Sequence, residues 1–325
     1  MTARGDALSF AIASVTTVIA GVGVAAQHRI NGDLGQRIDD GFTAALLSFS
    51  SGLVILLLAV ALSPKGREGL RAIRPLVASG ELPWWMLLGG LGGAFMVLGQ
   101  GLVAGILGVA IFTVATVTGQ TAMGLWIDAT GFAGARRASV SRQRVVGAFI
   151  TLVAVAVAVG PELGGRVPFA AVLLPLLAGL GVGLQAAVNG RVRVATGSPL
   201  AATTVNFVVG TSALAVATAV HLAVSGLPEA LPSEPWLYLG GALGAVFIAI
   251  QTITVARIGV LVLGLCLVAG QLVGALVFDL VAPIGVPTTT ATAIGAVLTL
   301  VGVLVATAPG RRRGPPSTAR ADAQA

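Results

Sequence analysis

The chain has 325 residues, of which 56% are hydrophobic and only 10% are charged, and its mean hydropathy is +0.98. Soluble domains carry about 25% charge, so this composition excludes a protein whose surface faces water throughout; most of its solvent is lipid. The net charge of +7 does not point to nucleic acid, because the basic residues lie in short loops between apolar runs, where membrane orientation accounts for them. The single cysteine, Cys266, sits inside an apolar run, which excludes a disulfide framework and a thiolate metal cluster.

A helix needs about 20 apolar residues to cross a hydrocarbon core of about 30 Å. Ten such runs follow in order. The first five are 8–27, 42–62, 83–103, 107–127 and 144–160, and the second five are 169–188, 200–222, 236–255, 259–279 and 288–307. The first run carries no clear cleavage site and reads as a span, not a signal peptide. Tight turns are expected at Gly105 to Gly108 and at Ala256 to Gly259. From Pro309 the chain turns basic and polar, as a disordered tail does. The expected organisation is an all-α membrane protein with a five-helix unit over 1–160, a second over 161–308 and a tail over 309–325. Sixteen Lys and Arg fall on the N-terminal side of these spans and three, Arg29, Arg37 and Arg166, on the other. The positive-inside rule then puts both termini in the cytoplasm.

The two halves repeat one another. At an offset of 158, Gly21, Gly23, Gln27, Asn31, Gly32, Phe49 and Gly52 match Gly179, Gly181, Gln185, Asn189, Gly190, Phe207 and Gly210. At an offset of 151, Gly89, Gly90, Gly93, Gln100, Gly108, Gly119, Gln120 and Asp128 match Gly240, Gly241, Gly244, Gln251, Gly259, Gly270, Gln271 and Asp279. An odd number of helices per unit inserts the second copy upside down, and inverted repeats are a hallmark of alternating-access transporters.

Gln120 and Gln271 each lie 12 residues beyond the expected turn, near the middle of the bilayer. An amide there needs a partner, either another helix or a substrate in a shared cavity. Gln27 with Asn31, and Gln185 with Asn189, form i, i+4 pairs at helix ends, and Asn-Gly at 31–32 and 189–190 is also turn chemistry. Gln100 and Gln251 sit late in their spans and join the candidate pathway. Asp128 and Asp279 close helices where the dipole disfavours a carboxylate, so each needs compensation. For Asp279 the expected partner is Arg29, Arg37 or Arg166, as an outer gate or a fold-locking contact. Gly89-x3-Gly93, Gly240-x3-Gly244 and Gly270-x3-Gly274 are helix-packing signals. Walker chemistry and metal-ligand spacing are absent, and neither a cofactor nor a catalytic residue is assigned.

The Gly-Gln-x7-Asp motif at 119–128 and 270–279, the Gln-x3-Asn at the end of each first helix, and the Pro-Trp-Trp and Gly-Gly-x2-Gly opening of the third helix resemble the YdcZ-type (DUF606) family of the drug/metabolite transporter superfamily. The resemblance spans roughly residues 8–307 and implies the fused double-length form, with ten helices in two inverted repeats. The family continues Asp-x2-Gly after the motif; Asp128 has Gly131, but Asp279 has Ala282, so the second loop is expected to turn differently. The resemblance implies an inner-membrane transporter of a small solute. The leading expectation is an exporter of an amphipathic or cationic molecule or a metabolite. A channel or lipid scramblase is the alternative, and an intramembrane enzyme the weakest reading. The partners expected are a small-molecule substrate, the bilayer and, as an option, a second copy of the chain.

Overall fold

The computed structural model describes residues 3–134, 142–162, 168–228 and 230–307. All regular structure among them is helical: α1 Ala3–Arg37, α2 Gly41–Leu62, α3 Pro64–Ala78, α4 Gly90–Gly99, α5 Gly105–Leu107, α6 Val109–Thr130, α7 Arg142–Val159, α8 Phe169–Thr196, α9 Pro199–Ser225, α10 Gly240–Val281 and α11 Thr290–Thr307. Six stretches among the described residues are long and apolar enough to cross a membrane: Leu8–Arg37, Gly41–Leu62, Trp84–Leu107, Val109–Ile127, Phe169–Thr196 and Pro199–Ser225. Shorter apolar helices occupy Val145–Val159, Cys266–Val281 and Thr290–Val305.

Local chemistry sets the helix ends. Asp39 takes a left-handed φ of 49°, which Asp tolerates, and Asp40 then caps α2 by accepting from the amides of Phe42 and Thr43. Ser198 caps α9 and Gly131 closes α6 with φ 69°. The hairpin between α5 and α6 turns on Gly108 alone, whose φ of 80° and ψ of 157° lie in a region only glycine enters readily. The end of α10 differs from that of α6, as the loss of the glycine implies: Ala282 has φ −150° and ψ 73°.

Three sequence expectations are corrected. First, Asn31-Gly32 and Asn189-Gly190 are not turns: α1 runs on to Arg37 and α8 to Thr196. On α1 the glycines serve close approach, since a Cβ on Gly32 would meet the Gly105 amide nitrogen at 2.9 Å and one on Gly35 would overlap the Gly101 carbonyl. That packing outweighs their weak helix propensity of about 1 kcal/mol each. Second, the basic stretch after α2 is not a plain loop. Ser63 and Pro64 start α3, and Ser63 accepts from the Gly66 amide at 3.1 Å. Third, helical residues run without interruption through the expected second turn, from Gly240 to Val281. They still cannot form one straight rod. Gly244 packs on Gln27 and Gly240 on Asn31, whereas Gly270 packs on Val18 and Gly274 on Val22. The first leg therefore runs antiparallel to α1 and the second parallel to it. In a straight helix Gly244 and Gly270 would be about 39 Å apart, but their contacts on α1 lie within a few turns of one another. The chain reverses between them.

The packing repeats with the halves exchanged. A Cβ on Gly21 would lie 2.9 Å from the Gly270 Cα, and one on Gly119 3.1 Å from the Gly179 Cα. α1 thus crosses α10 as α8 crosses α6, each time with bare backbone against backbone. Between α2 and α9 the rings of Phe49 and Phe207 stack at 4.8 Å, with Gly210 against Phe49 and Gly52 against Phe207. The main core gathers Leu107, Ile111, Phe112 and Val114 with Ala154, Val172, Ala178 and Leu272.

Candidate functional site

Two sequence signals that looked separate meet in space. The Gln27 and Asn31 side chains of α1 lie against Gly244 and Gly240; those of Gln185 and Asn189 on α8 lie against Gly93 and Gly89. A Cβ would stand 3.0 Å from Gln27 Nε2 at Gly244, 2.8 Å from Gln185 Oε1 at Gly93 and 2.7 Å from Asn189 Oδ1 at Gly89. At Gly240 it would overlap Asn31 Oδ1 outright. Four-residue spacing puts both amides on one face and both glycines on one face, so antiparallel helices interlock like a zipper. Each zipper joins the first helix of one half to the third helix of the other. Asn31 Oδ1 and Gln185 Oε1 are buried without a conventional hydrogen bond. The glycine Cα–H that a Cβ would replace points at each, a weak C–H···O contact.

Around this frame the amides are not equivalent. Asn31 is fully buried and its Nδ2 donates to Gln100 Oε1 at 2.6 Å. Gln100 opens a π-helical stretch, Gln100–Ala104, a distortion frequent at functional sites. One turn before Asn31, His28 is 0% exposed, with Nδ1 3.3 Å from Thr113 Oγ1 and its ring edge-on to Phe112. Asn189 is half-buried and donates to Asn206 Oδ1 at 3.0 Å. Gln120, half-buried, belongs to the α6–α8 crossing, and Gln271, 7% exposed, to the α10–α1 crossing. Among the described residues no hydrogen bond joins these two amides. The side chains of Gln251 and Asp128 lie outside the described residues.

Among the described residues Asp279 does not form the expected ion pair. Its Oδ1 accepts from the Val109 amide at 3.0 Å and its Oδ2 from the Ala110 amide at 2.7 Å. It is 4% exposed and caps α6 from another part of the chain, replacing the cap that Gly108 cannot supply. The positive end of the α6 dipole supplies the compensation assigned to arginine. Arg29 lies within Coulombic reach but makes no ion pair with it. Arg37 instead pairs with Asp33 at 3.0 Å and Glu234 at 2.6 Å, and Arg166 is outside the described residues. The sequence carried one overlooked signal: a helix opening on glycine has orphan amides that some acceptor must meet.

The loop after Asp279 completes a latch. The Val286 amide donates to the Ile106 carbonyl at 3.1 Å, Gly285 presses on the Ile106 and Gly105 carbonyls, and Gln36 of α1 donates to Gly105. Nearby, a polar cavity of about 490 Å³ is lined by Arg37, Asp39, Asp40 and His221, whose Nε2 is 3.5 Å from Asp40. A second cavity of about 460 Å³ is apolar, between Met123 and Trp126 of α6 and Leu180 and Leu184 of α8. Among the described residues no three His, Cys, Asp or Glu side chains group as a metal site.

The chain matches one family profile twice, over residues 12–157 and 170–305; the profile is described as "Putative inner membrane exporter, YdcZ", of the drug/metabolite transporter group. The chain belongs to the YdcZ family. The double match is that of a double-length YdcZ protein, and the helices are those of a multi-pass inner-membrane protein. No curated protein gives a significant match.

Proposed function

We propose that this chain is a secondary transporter that exports a small solute across the inner membrane by alternating access. YdcZ membership supports export at the coarse level. The mechanism rests mainly on one observation: each half's Gln-x3-Asn is clasped by the other half's Gly-x3-Gly. Such exchange of equivalent contacts is what two inverted five-helix repeats, each moving against the other, require. Ten crossings is the reading that counts the six long spans, the three shorter apolar helices and the first leg of α10. The excess of basic residues on one side supports a cytoplasmic position for both termini. Gln27, Asn31, Gln100, Gln185, Asn189 and Gln251 would line the route, with Gln120 and Gln271 behind them at the crossings. Asp279 acts as one gate and Asp128 as its counterpart.

The test is a thermal-shift screen of purified protein against cations, sugars, amino acids and nucleosides, followed by counterflow of each stabilising solute in proteoliposomes. Saturable, counter-exchangeable flux is the expected result. Unsaturable flux would sink the carrier reading in favour of a channel.

A further inference from the structure

α3 is the most polar helix of the bundle, and its two faces differ sharply. Gly66 and Gly69 are buried: Gly69 sits on Ser198 and Ala201, and Gly66 beside Leu200 at the start of α9. Leu76 and Val77 pack onto the cluster of Leu82, Met86, Val188 and Val192. The opposite face carries Arg67, Arg71 and Arg74 at i, i+4 and i+7, all exposed; Lys65 is exposed on another side of the first turn. Arg67 also donates to the Ala61 carbonyl at the end of α2. Among the described residues Arg71 and Arg74 make neither an ion pair nor a hydrogen bond.

The depth of this stripe is fixed by its neighbours. α3 follows Leu62, an exposed apolar residue (84%) ending a span, and precedes Trp84 and Trp85, exposed at 65% and 38%. Exposed leucine marks the edge of the acyl layer and tryptophan the headgroup level. The helix therefore lies in the plane of the headgroups, with its basic face outward and its apolar face seated on the protein. Arg191 and Arg193 stand at the same end, on α8; Arg191 donates to the Glu81 carbonyl at 3.3 Å and Arg193 is exposed. Glu68 and Glu81 are the acids nearby, so the end is strongly cationic.

We infer that the Arg67–Arg71–Arg74 face of α3 is a binding surface for anionic phospholipid headgroups. Guanidinium forks match phosphate oxygens, and the partner's charge complements the stripe. The copied half carries no such helix among its described residues: α9 ends at Ser225, and the residues that follow, 226–228 and 230–234, are irregular.

The experiment is native mass spectrometry of the full-length protein in mixed micelles, titrated with phosphatidylglycerol, with phosphatidylcholine or with inorganic phosphate. Phosphatidylglycerol is expected to be retained in preference to phosphatidylcholine, and its affinity to fall as salt rises. Arg71→Gln with Arg74→Gln is expected to weaken it about 25-fold, at about fivefold per charge, while Arg71→Lys with Arg74→Lys keeps most of it. Equal retention of both lipids, salt-independent binding, or an unchanged affinity in the double Gln variant would each overturn the inference. Inorganic phosphate binding as well as the lipid would overturn it too, by showing a soluble-anion site. Should the Gln variant fail to fold, the wild-type lipid preference and salt dependence still decide.

Discussion

α1 and α8 carry the same Gln-x3-Asn signature and meet the same Gly-x3-Gly partner, yet their surroundings diverge just past the asparagine. On α1, Asn31, Gly32, Asp33, Leu34 and Gly35 are all buried, and the latch from Gln36, Ile106, Asp279 and Val286 closes over them. On α8, Gly190, Arg193 and Val194 past the asparagine are exposed; ahead of it, at Leu180 and Leu184, an apolar cavity opens against α6. The zipper is thus the shared part and the closure the variable part. On the proposed carrier reading, this asymmetry is one mouth sealed and the other loosened around a common frame.

The largest expected effect comes from fixing the sealed mouth shut. In a Cys266→Ser background, Ile106→Cys with Val286→Cys joined by a short thiol cross-linker is expected to abolish counterflow, and reversal of the cross-link to restore it. Full flux in the cross-linked protein would show that this end does not open. Next is the backbone crossing. Gly270→Ala puts a Cβ on the Val18 carbonyl, and Gly119→Ala puts one on the Leu176 carbonyl. Each is expected to cost about 3 kcal/mol, the upper end of overpacking. Gly124→Ala, with nothing within 4 Å of its Cβ, should cost nothing. Thermal unfolding in detergent reads all three, and unequal costs at Gly270 and Gly119 would break the equivalence of the crossings.

The amides report on closure. Asn31→Ala strands the buried Gln100 carbonyl, at a cost of about 2 kcal/mol. Asn189→Ala releases a half-buried bond to Asn206 and is expected to cost about 1 kcal/mol. Equal losses would mean that both ends are closed alike.

Much of this was legible in the sequence because apolar runs and paired glycines are local signals. The helical membrane class, the turn at Gly108 and the altered loop after Asp279 follow from composition and from one missing glycine. What the sequence could not show was pairing. Gln27 and Gly244 stand 217 positions apart, and no periodicity links an amide on one helix to a glycine on another. The length of α1 beyond Asn31 was hidden for the same reason, since Gly32 and Gly35 are helical only because a second backbone presses on them. α3 carries no apolar run to announce it, because its buried face is made of glycines and a few apolar side chains. An arginine is the partner that charge alone suggests for Asp279; two backbone amides at a helix start answer it as well.

The smallest effect is the most specific to the latch. Asp279→Asn keeps one oxygen for Val109 or Ala110, loses the other acceptor and removes the charge that faces the α6 dipole. The expected cost is about 1 kcal/mol. A packing residue losing that much would lower the melting temperature and leave access unchanged. A gate losing it shifts the balance between sealed and open states about fivefold, since both amides are freed together when the mouth opens. A cysteine at Val286, 7% exposed in the sealed state, should then react faster with a membrane-impermeant thiol reagent in Asp279→Asn than in the parent, at a temperature where both are folded. Asp128 holds the matching place in the repeat, and Asp128→Asn should leave that labelling rate unchanged or lower it, because easing the opposite mouth draws the population away from opening this one. Faster labelling in both variants would show that the two carboxylates only hold the bundle together.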